Sequence, residues 1–144
     1  MIRVPYEGRT RKVRLRDTEG VERFRYEWSG HWRSVDVLFF VYAVNDKKSF
    51  EDVDVFLKLE KNFEENYQSR YGYKINIPRA IIANKVDVDD RVISREEGEA
   101  YASKIGVPYL ETSAKTGQNV QEIIKLALEL TSHPPKKHGH CSLQ

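Results

Sequence analysis

Cysteine is almost absent from this 144-residue chain, which contains a single one, Cys141. An intrachain disulfide is therefore excluded, and the composition is typical of a reducing compartment. No apolar run reaches the length of a transmembrane helix, and the first residues do not have the pattern of a secretory leader. Neither sign of charge prevails, since 24 residues are basic and 22 are acidic, so no global field would attract nucleic acid or a membrane. With 40% hydrophobic residues, the chain is expected to form one globular domain.

Five segments have the pattern of β-strands. Residues 2–6 and 10–16 alternate charged and apolar side chains on either side of Gly8, which predicts an opening hairpin. Residues 35–44 are almost continuously apolar, as in a parallel strand that is covered on both faces. Shorter apolar strands are predicted at residues 80–83 and 108–110.

Three helical segments alternate with the later strands. The first is expected to begin at Ser49, with Asp52 in the place of a capping-box partner. The second runs from Ser94 to Gly106, and the third is an amphipathic stripe that follows Asn119. This alternation predicts an α/β fold in which a mostly parallel sheet is flanked by helices.

The most informative stretch is Asn84-Lys85-Val86-Asp87, directly after the predicted strand at 80–83. Open α/β sheets bind ligands at the carboxyl ends of their strands. A carboxylate such as Asp87 can accept hydrogen bonds from two adjacent donors of guanine, N1–H and N2–H₂, which adenine lacks. Asn84 could bond N7 of the base, and the stem of Lys85 could lie along the purine face. A plain polar loop is the alternative, because this four-residue pattern occurs by chance in about 2 of 100 chains of this length.

A second loop of the same kind follows the predicted strand at 108–110. The small Ala114 would let a backbone N–H approach O6 of guanine, and Ser113 and Lys115 would hold the loop in place. We therefore predict that this loop completes a guanine site.

A third loop, Asp17-Thr18-Glu19-Gly20, follows the strand-like residues 13–16. Asp17 could hold a Mg²⁺-bound water. The N–H of Gly20 could approach a terminal phosphate, because glycine has no Cβ in the way. Three such loops, in this order and each after a strand, are far more specific than any one of them.

With these loops the chain resembles the Ras-like small GTPases over about residues 2–130 and again at its last four residues. The resemblance implies a P-loop-NTPase-like, doubly wound sheet with flanking helices, and a GDP/GTP switch that uses Mg²⁺. It also implies that residues 21–33, from Val21 to Arg33, form a switch segment that effectors or regulators read; aromatic side chains packed in the core are the alternative for this segment. Residues 17–25 are similar to the Rab branch, whereas residues 41–51 and the terminus are similar to the Ras branch.

The last residues differ in composition from the rest. Residues 1–131 correspond to the GTPase-like domain, and residues 132–144 are expected to form a flexible tail. The tail ends in Cys141-Ser142-Leu143-Gln144, which looks like a prenylation signal of the farnesyl type; an incidental exposed cysteine is the alternative. A single lipid gives reversible binding, to which Lys136 and Lys137 add modestly. The expected location is the cytoplasmic face of a membrane.

A Gly-x-x-x-x-Gly-Lys-Ser/Thr phosphate loop is missing from the sequence. In the family this loop follows a first strand, so the fold is expected to lack both. No backbone cradle would then surround the phosphates, and no loop lysine or hydroxyl would reach them or Mg²⁺. Weak binding of GTP, GDP and Mg²⁺ follows. Glu19 and Val21 stand where the family has alanine and glutamine, so hydrolysis is expected to be slow or absent, and no catalytic residue is assigned.

Three functions stay open at this point, and the sequence does not decide whether the chain is an enzyme. The first is a guanine-nucleotide switch in signalling or vesicle traffic. The second is a nucleotide-independent binding module that uses residues 21–33 and 62–73. The third is a truncated product with no function of its own.

Overall fold

The chain folds into two units, Met1–Val35 and Asp36–Gln144. The computed structural model describes residues 1–18, 35–72 and 74–132. In the first unit, β1 (Ile2–Tyr6) and β2 (Arg9–Val13) form the predicted antiparallel hairpin. Its two-residue turn places Glu7 and Gly8 at φ values of 49° and 72°, the pair of left-handed conformations that a type I′ turn requires.

The second strand of the hairpin is shorter than the sequence predicts. The prediction extends it to Arg16, but β2 ends at Val13, which pairs with Ile2 at the start of β1. Val13 is the last residue of this strand that has a ladder partner among the described residues, and a strand is not maintained without a hydrogen-bonded neighbour. Asp17 consequently lies in exposed, irregular chain and does not directly follow a strand.

The second unit is built on a three-stranded parallel sheet with the strand order β3-β4-β5. Helix α1 connects β3 to β4, α2 connects β4 to β5, and α3 follows β5. The bounds are β3 (Leu38–Ala43), α1 (Lys47–Tyr71), β4 (Arg79–Asn84), α2 (Arg95–Ile105), β5 (Tyr109–Glu111) and α3 (Val120–Ser132). This arrangement confirms the predicted α/β fold with a parallel sheet and flanking helices.

The main core cluster joins β3 and β4 to α1 and α2. Its buried members include alternate residues of the strands and small or branched residues of the helices: Phe40, Tyr42, Val44, Val53, Ile81, Ala83 and Ala102. At Gly98 of α2, a Cβ would lie 2.5 Å from the hydroxyl of Tyr42 and 2.7 Å from the ring of Tyr109. Glycine therefore allows α2 to approach the sheet this closely.

Helix α1 begins earlier than predicted. Its N-cap is Asp46, whose carboxylate accepts the N–H of Ser49 at 3.2 Å. The prediction that Ser49 begins the helix with Asp52 as its partner was wrong, because Asp46 already satisfies a free N–H of the first turn. The Ser49 hydroxyl instead accepts the N–H of Ala43 at 3.0 Å. The predicted limits of α2 are confirmed, with Ser94 as N-cap and Gly106 as left-handed C-cap.

The single polar residue in the apolar stripe of α1, Glu60, is almost completely buried. Its side chain is 1% exposed and accepts a hydrogen bond from the Arg79 guanidinium at the start of β4 (2.5 Å). The same nitrogen of Arg79 contacts Glu64, one turn further along α1, at 2.8 Å. Burial raises the pKa of Glu60 to about 7, and the charge of Glu64 adds to the effect, while Arg79 opposes it. Two carboxylates thus share one guanidinium inside the fold.

We expect Glu60→Gln to reduce the pH dependence of stability. The folded-state pKa of Glu60 lies above the ordinary value of 4.5. Protonation of Glu60 therefore stabilises the fold, and this contribution is complete below pH 4.5. This contribution is lost as the pH rises through about 7, at a cost on the order of 2 to 3 kcal/mol. The neutral amide removes the titration, so between about pH 5 and pH 8 the variant should lose less free energy of unfolding than the unaltered chain.

The measurement is urea unfolding across this pH range. Glu65→Gln is the matched control, because Glu65 is the exposed neighbour of Glu64 on the same helix. A Glu60→Gln variant with the same pH slope as the unaltered chain would contradict the assignment.

Candidate functional site

Two loops meet at the carboxyl edge of the parallel sheet. Ala83 near the end of β4 is paired with Glu111 at the end of β5, so the loops that follow leave the sheet side by side. They are joined through the backbone: the N–H of Thr112 donates to the carbonyl of Ala83 at 2.8 Å, and the N–H of Val86 donates to the carbonyl of Thr112 at 3.2 Å. The ligand-binding edge of an open α/β sheet is therefore formed by the predicted loops.

Asp87 is the centre of the polar contacts between these loops. The Ser113 hydroxyl donates to Oδ1 of Asp87 at 2.5 Å, and the Lys115 ammonium lies 3.8 Å from Oδ2. The hydrogen bond from Ser113, with a smaller contribution from Lys115, lowers the pKa of Asp87, against the opposing effect of burial. The side chain is 12% exposed, so the carboxylate is held in the charged form in a partly open position.

Asn84, the last residue of β4, joins the same two loops by its side chain. Its Oδ1 accepts the backbone N–H of Ala114 at 3.1 Å and lies 3.4 Å from the hydroxyl of Thr112. The sequence prediction is that the small Ala114 lets a backbone N–H approach O6 of guanine. The N–H of Ala114 itself already has an acceptor in this structure, so a guanine O6 bound there would share this N–H with Asn84 or replace Asn84.

Lys85 follows Asn84 in a left-handed backbone conformation, with φ at 65°. This conformation, which costs about 1 kcal/mol for a residue with a Cβ, turns the chain away from the strand. The carbonyl of Lys85 accepts the N–H of Val88 at 3.2 Å, and its side chain is exposed. The predicted role of Lys85 along a purine face stays a prediction.

The loop after β5 is closed on itself by backbone hydrogen bonds. Ser113 donates its N–H to Gln118 at 3.0 Å and accepts the N–H of Gly117 at 2.9 Å. The Ser113 hydroxyl also accepts the N–H of Thr116 at 3.1 Å. Ser113 thus closes the loop with its backbone and its hydroxyl, and the same hydroxyl joins the loop to Asp87.

Sequence reasoning missed three residues that hold this loop. Thr112 is 2% exposed and contacts Asn84 as described above. Asn119, which the sequence placed only before a helix, adopts φ of 56° and donates from its side chain to the carbonyl of Glu111 at 2.8 Å. Arg91 forms an ion pair with the Glu111 carboxylate. An asparagine between a glycine and a helix is a signal for such a left-handed position, whereas the Arg91 contact has no local signature.

The residues predicted for phosphate and Mg²⁺ lie in the other unit. Asp17 and Thr18 are exposed, whereas Gly20 falls outside the described residues. Within the described ranges there is no group of three or more His, Cys, Asp or Glu arranged for a metal ion. The predicted role of Asp17 at a Mg²⁺-bound water stays a prediction.

Two further predictions concern parts of the chain that are not described. Residues 21–33 and Cys141 both fall outside 1–18, 35–72 and 74–132. None of the helices in those ranges is both long and apolar enough to cross a membrane.

Comparisons with known proteins identify the family of the chain. The model of the Ras family matches residues 1–132. The chain is 38% identical to the Ras-related protein RIC1 of Oryza sativa subsp. japonica and 40% identical to the Ras-related protein RABG3f of Arabidopsis thaliana. Each of these alignments covers 83% of this chain. It is 34% identical to the Ras-related protein Rab-8 of Diplobatis ommata over 98% of its length.

These similarities define the class of protein. A parallel α/β sheet with Asn84-Lys85-Val86-Asp87 and Ser113-Ala114-Lys115 at its carboxyl edge is the arrangement expected of a small GTPase. The chain belongs to the Ras family, which confirms the resemblance. It spans 55%, 57% and 64% of the lengths of RIC1, RABG3f and Rab-8.

We expect Ser113→Ala to raise the pKa of Asp87, because the substitution removes the hydroxyl that stabilises the carboxylate most. The measurement is an NMR titration of the Asp87 side-chain carboxyl. Ser103→Ala on the exposed surface of α2 is the control and should leave this titration unchanged. An unchanged Asp87 titration in Ser113→Ala would show that the hydroxyl does not hold the carboxylate in solution.

Proposed function

We propose that the chain binds guanine nucleotides through the two loops at the carboxyl edge of its sheet. The observation that supports this most strongly is the convergence of Ser113 and Lys115 on Asp87. It presents a charged carboxylate at the edge where α/β sheets bind ligands. The proposed base site consists of Asn84, Lys85, Asp87, Ser113, Ala114 and Lys115.

The geometry of Asp87 suits guanine. Each carboxylate oxygen can accept about two hydrogen bonds, and Ser113 uses one position on Oδ1. Acceptors therefore remain for N1–H and N2–H₂ of the base. Because the pKa of Asp87 is lowered, the group is an acceptor at neutral pH. Adenine would leave this charge without donors, which is an effective means of discrimination.

The phosphate half of the proposed site is weaker. The sequence has no phosphate-loop pattern, and phosphate contacts provide most of the electrostatic stabilisation in this class of site. Asp17, Thr18 and Gly20 are the residues proposed to lie near phosphate and Mg²⁺. The proposed nucleotide affinity is therefore low, and intrinsic hydrolysis is slow because Val21 cannot orient a water.

We expect Asp87→Asn to lower GDP affinity on the order of 100-fold and to favour xanthine nucleotides. The amide cannot accept both guanine donors, and hydrogen bonds to charged groups contribute about 1.5 to 3 kcal/mol each. Xanthine carries a carbonyl at C2, which the new amide N–H can satisfy. The measurement is equilibrium binding of fluorescent GDP and its xanthine counterpart with Mg²⁺, with ADP as competitor.

The control for this substitution is Asp89→Asn, which makes the same change of charge two residues further along the loop, at an exposed position. It should leave both affinities unchanged. An equal loss of guanine and xanthine binding in Asp87→Asn would remove the proposed role of Asp87.

A nucleotide-independent binding module is the second candidate, and one observation favours it. The polar groups of the site satisfy each other within the chain: the Ala114 N–H bonds Asn84, and Ser113 bonds Asp87. These loops can keep their structure without a ligand. Pull-down of partners with GDP, with a GTP analogue and without nucleotide separates the two functions, because a module of this kind captures the same proteins in all three conditions.

The cellular role that we propose is a switch in signalling or vesicle traffic, in keeping with the Ras-related and Rab names of the relatives. Effectors or regulators would bind residues 21–33, from Val21 to Arg33. A prenyl group on Cys141 would attach the chain to the cytoplasmic face of a membrane. The family resemblance and the terminal Cys-Ser-Leu-Gln pattern support these points.

A further inference from the structure

The β1–β2 hairpin carries an unusual density of positive charge. Residues 1–18 contain two acidic and six basic residues, a net charge of +4, whereas the whole chain has +2. All six basic side chains are exposed, and within the described part of the chain none has an ion pair: Arg3, Arg9, Arg11, Lys12, Arg14 and Arg16. The positive charge of residues 1–18 is therefore local, and no ion pair compensates it within the described part of the chain.

The strand register sorts these charges onto two faces. Residues that pair across an antiparallel ladder lie on the same face. Arg3 is paired with Lys12 on one face. On the other face, Arg9 and Arg11 are paired with Tyr6 and Val4.

The face of Arg9 and Arg11 combines charge with apolar side chains. It also carries the pair Ile2 and Val13, and Ile2 is 43% exposed. Just beyond β2, Leu15 is 59% exposed between Arg14 and Arg16. A nucleic acid offers phosphates, sugars and bases to such a surface but no aliphatic interior, whereas an anionic bilayer offers both phosphates and an aliphatic interior at the headgroup boundary.

We infer that the hairpin face formed by Ile2, Val4, Tyr6, Arg9, Arg11 and Val13 is a docking surface for an anionic phospholipid bilayer. The arginines contact lipid phosphates, and Ile2 contacts the acyl boundary. Stable membrane attachment takes two signals, such as one lipid chain and one basic patch. The hairpin would be the second signal, in addition to the proposed prenyl group on Cys141. Binding of the hairpin itself does not depend on Cys141.

The test uses the full chain without prenylation and without nucleotide, so its result is independent of the proposed guanine site and of Cys141. Co-sedimentation is measured with phosphatidylcholine vesicles and with vesicles that also contain phosphatidylserine. Binding to the anionic vesicles alone, weakened by salt, is the expected result. Absence of binding to anionic vesicles by the folded chain overturns the proposal.

Two double variants inside the hairpin identify the face. Each basic residue near an anionic surface contributes about 1 kcal/mol, so Arg9→Gln with Arg11→Gln should lower the vesicle partition coefficient about 25-fold. Arg3→Gln with Lys12→Gln makes the same change of charge on the opposite face. This variant should lower the partition coefficient only a few-fold, because the two charges that it removes lie about one Debye length further from the bilayer. Equal losses from the two variants overturn the assignment of the face.

Two further variants test whether binding is specific to the hairpin and whether it has an apolar contribution. Lys61→Gln with Lys104→Gln removes two exposed charges from the second unit and should leave binding unchanged. Ile2→Thr keeps a β-branched residue in the strand and should weaken binding even at high salt, because its contribution is apolar. If a DNA duplex at equal phosphate concentration binds as tightly as the anionic vesicles, and Ile2→Thr has no effect, the surface is a general polyanion site and the proposal fails.

Discussion

The parallel pairing of β4 with β5 is the constraint on which the candidate site depends. Ala83 pairs with Glu111, and this register alone brings the Asp87 loop level with the Ser113 loop. A shift of one residue would turn the alternate side chains of β5 to the opposite face of the sheet. The hydrogen bond from Ser113 to Asp87 then joins side chains that are far apart in sequence but at the same edge in space.

Mutual satisfaction of polar groups explains both the site and the core. At the sheet edge, Asn84 bonds Ala114 and Asp87 bonds Ser113, so neither loop has to leave these groups without a partner. Inside the fold, Glu60 can be buried because Arg79 accompanies it. The difference lies in exposure: Asp87 keeps a charge that a ligand can reach, whereas the charge of Glu60 is opposed by burial. Buried polar groups are costly without partners in either place.

Where sequence reasoning succeeded, the signal was local. The strand Ile2–Tyr6 and the helix from Ser94 to Gly106 were predicted within their observed limits, because turn residues and caps act over a few positions. Where sequence reasoning failed, a contact with a neighbouring segment determined the limit of the strand or helix. The prediction extended the second strand to Arg16, but β2 ends at Val13, its last residue with a ladder partner. Asp46, and not Ser49, is the N-cap of α1.

The sequence by itself determined the family and predicted the candidate base-site residues, since Asn84, Asp87, Ser113 and Lys115 belong to short patterns that follow apolar strands. Only the tertiary structure decided how these side chains are used. Ser113 donates a hydrogen bond to Asp87, Asn84 accepts the N–H of Ala114, and Arg91 forms an ion pair with Glu111. Each of these contacts joins segments that are distant in sequence. Such contacts depend on strand register and helix packing, which bring residues together irrespective of their separation along the chain.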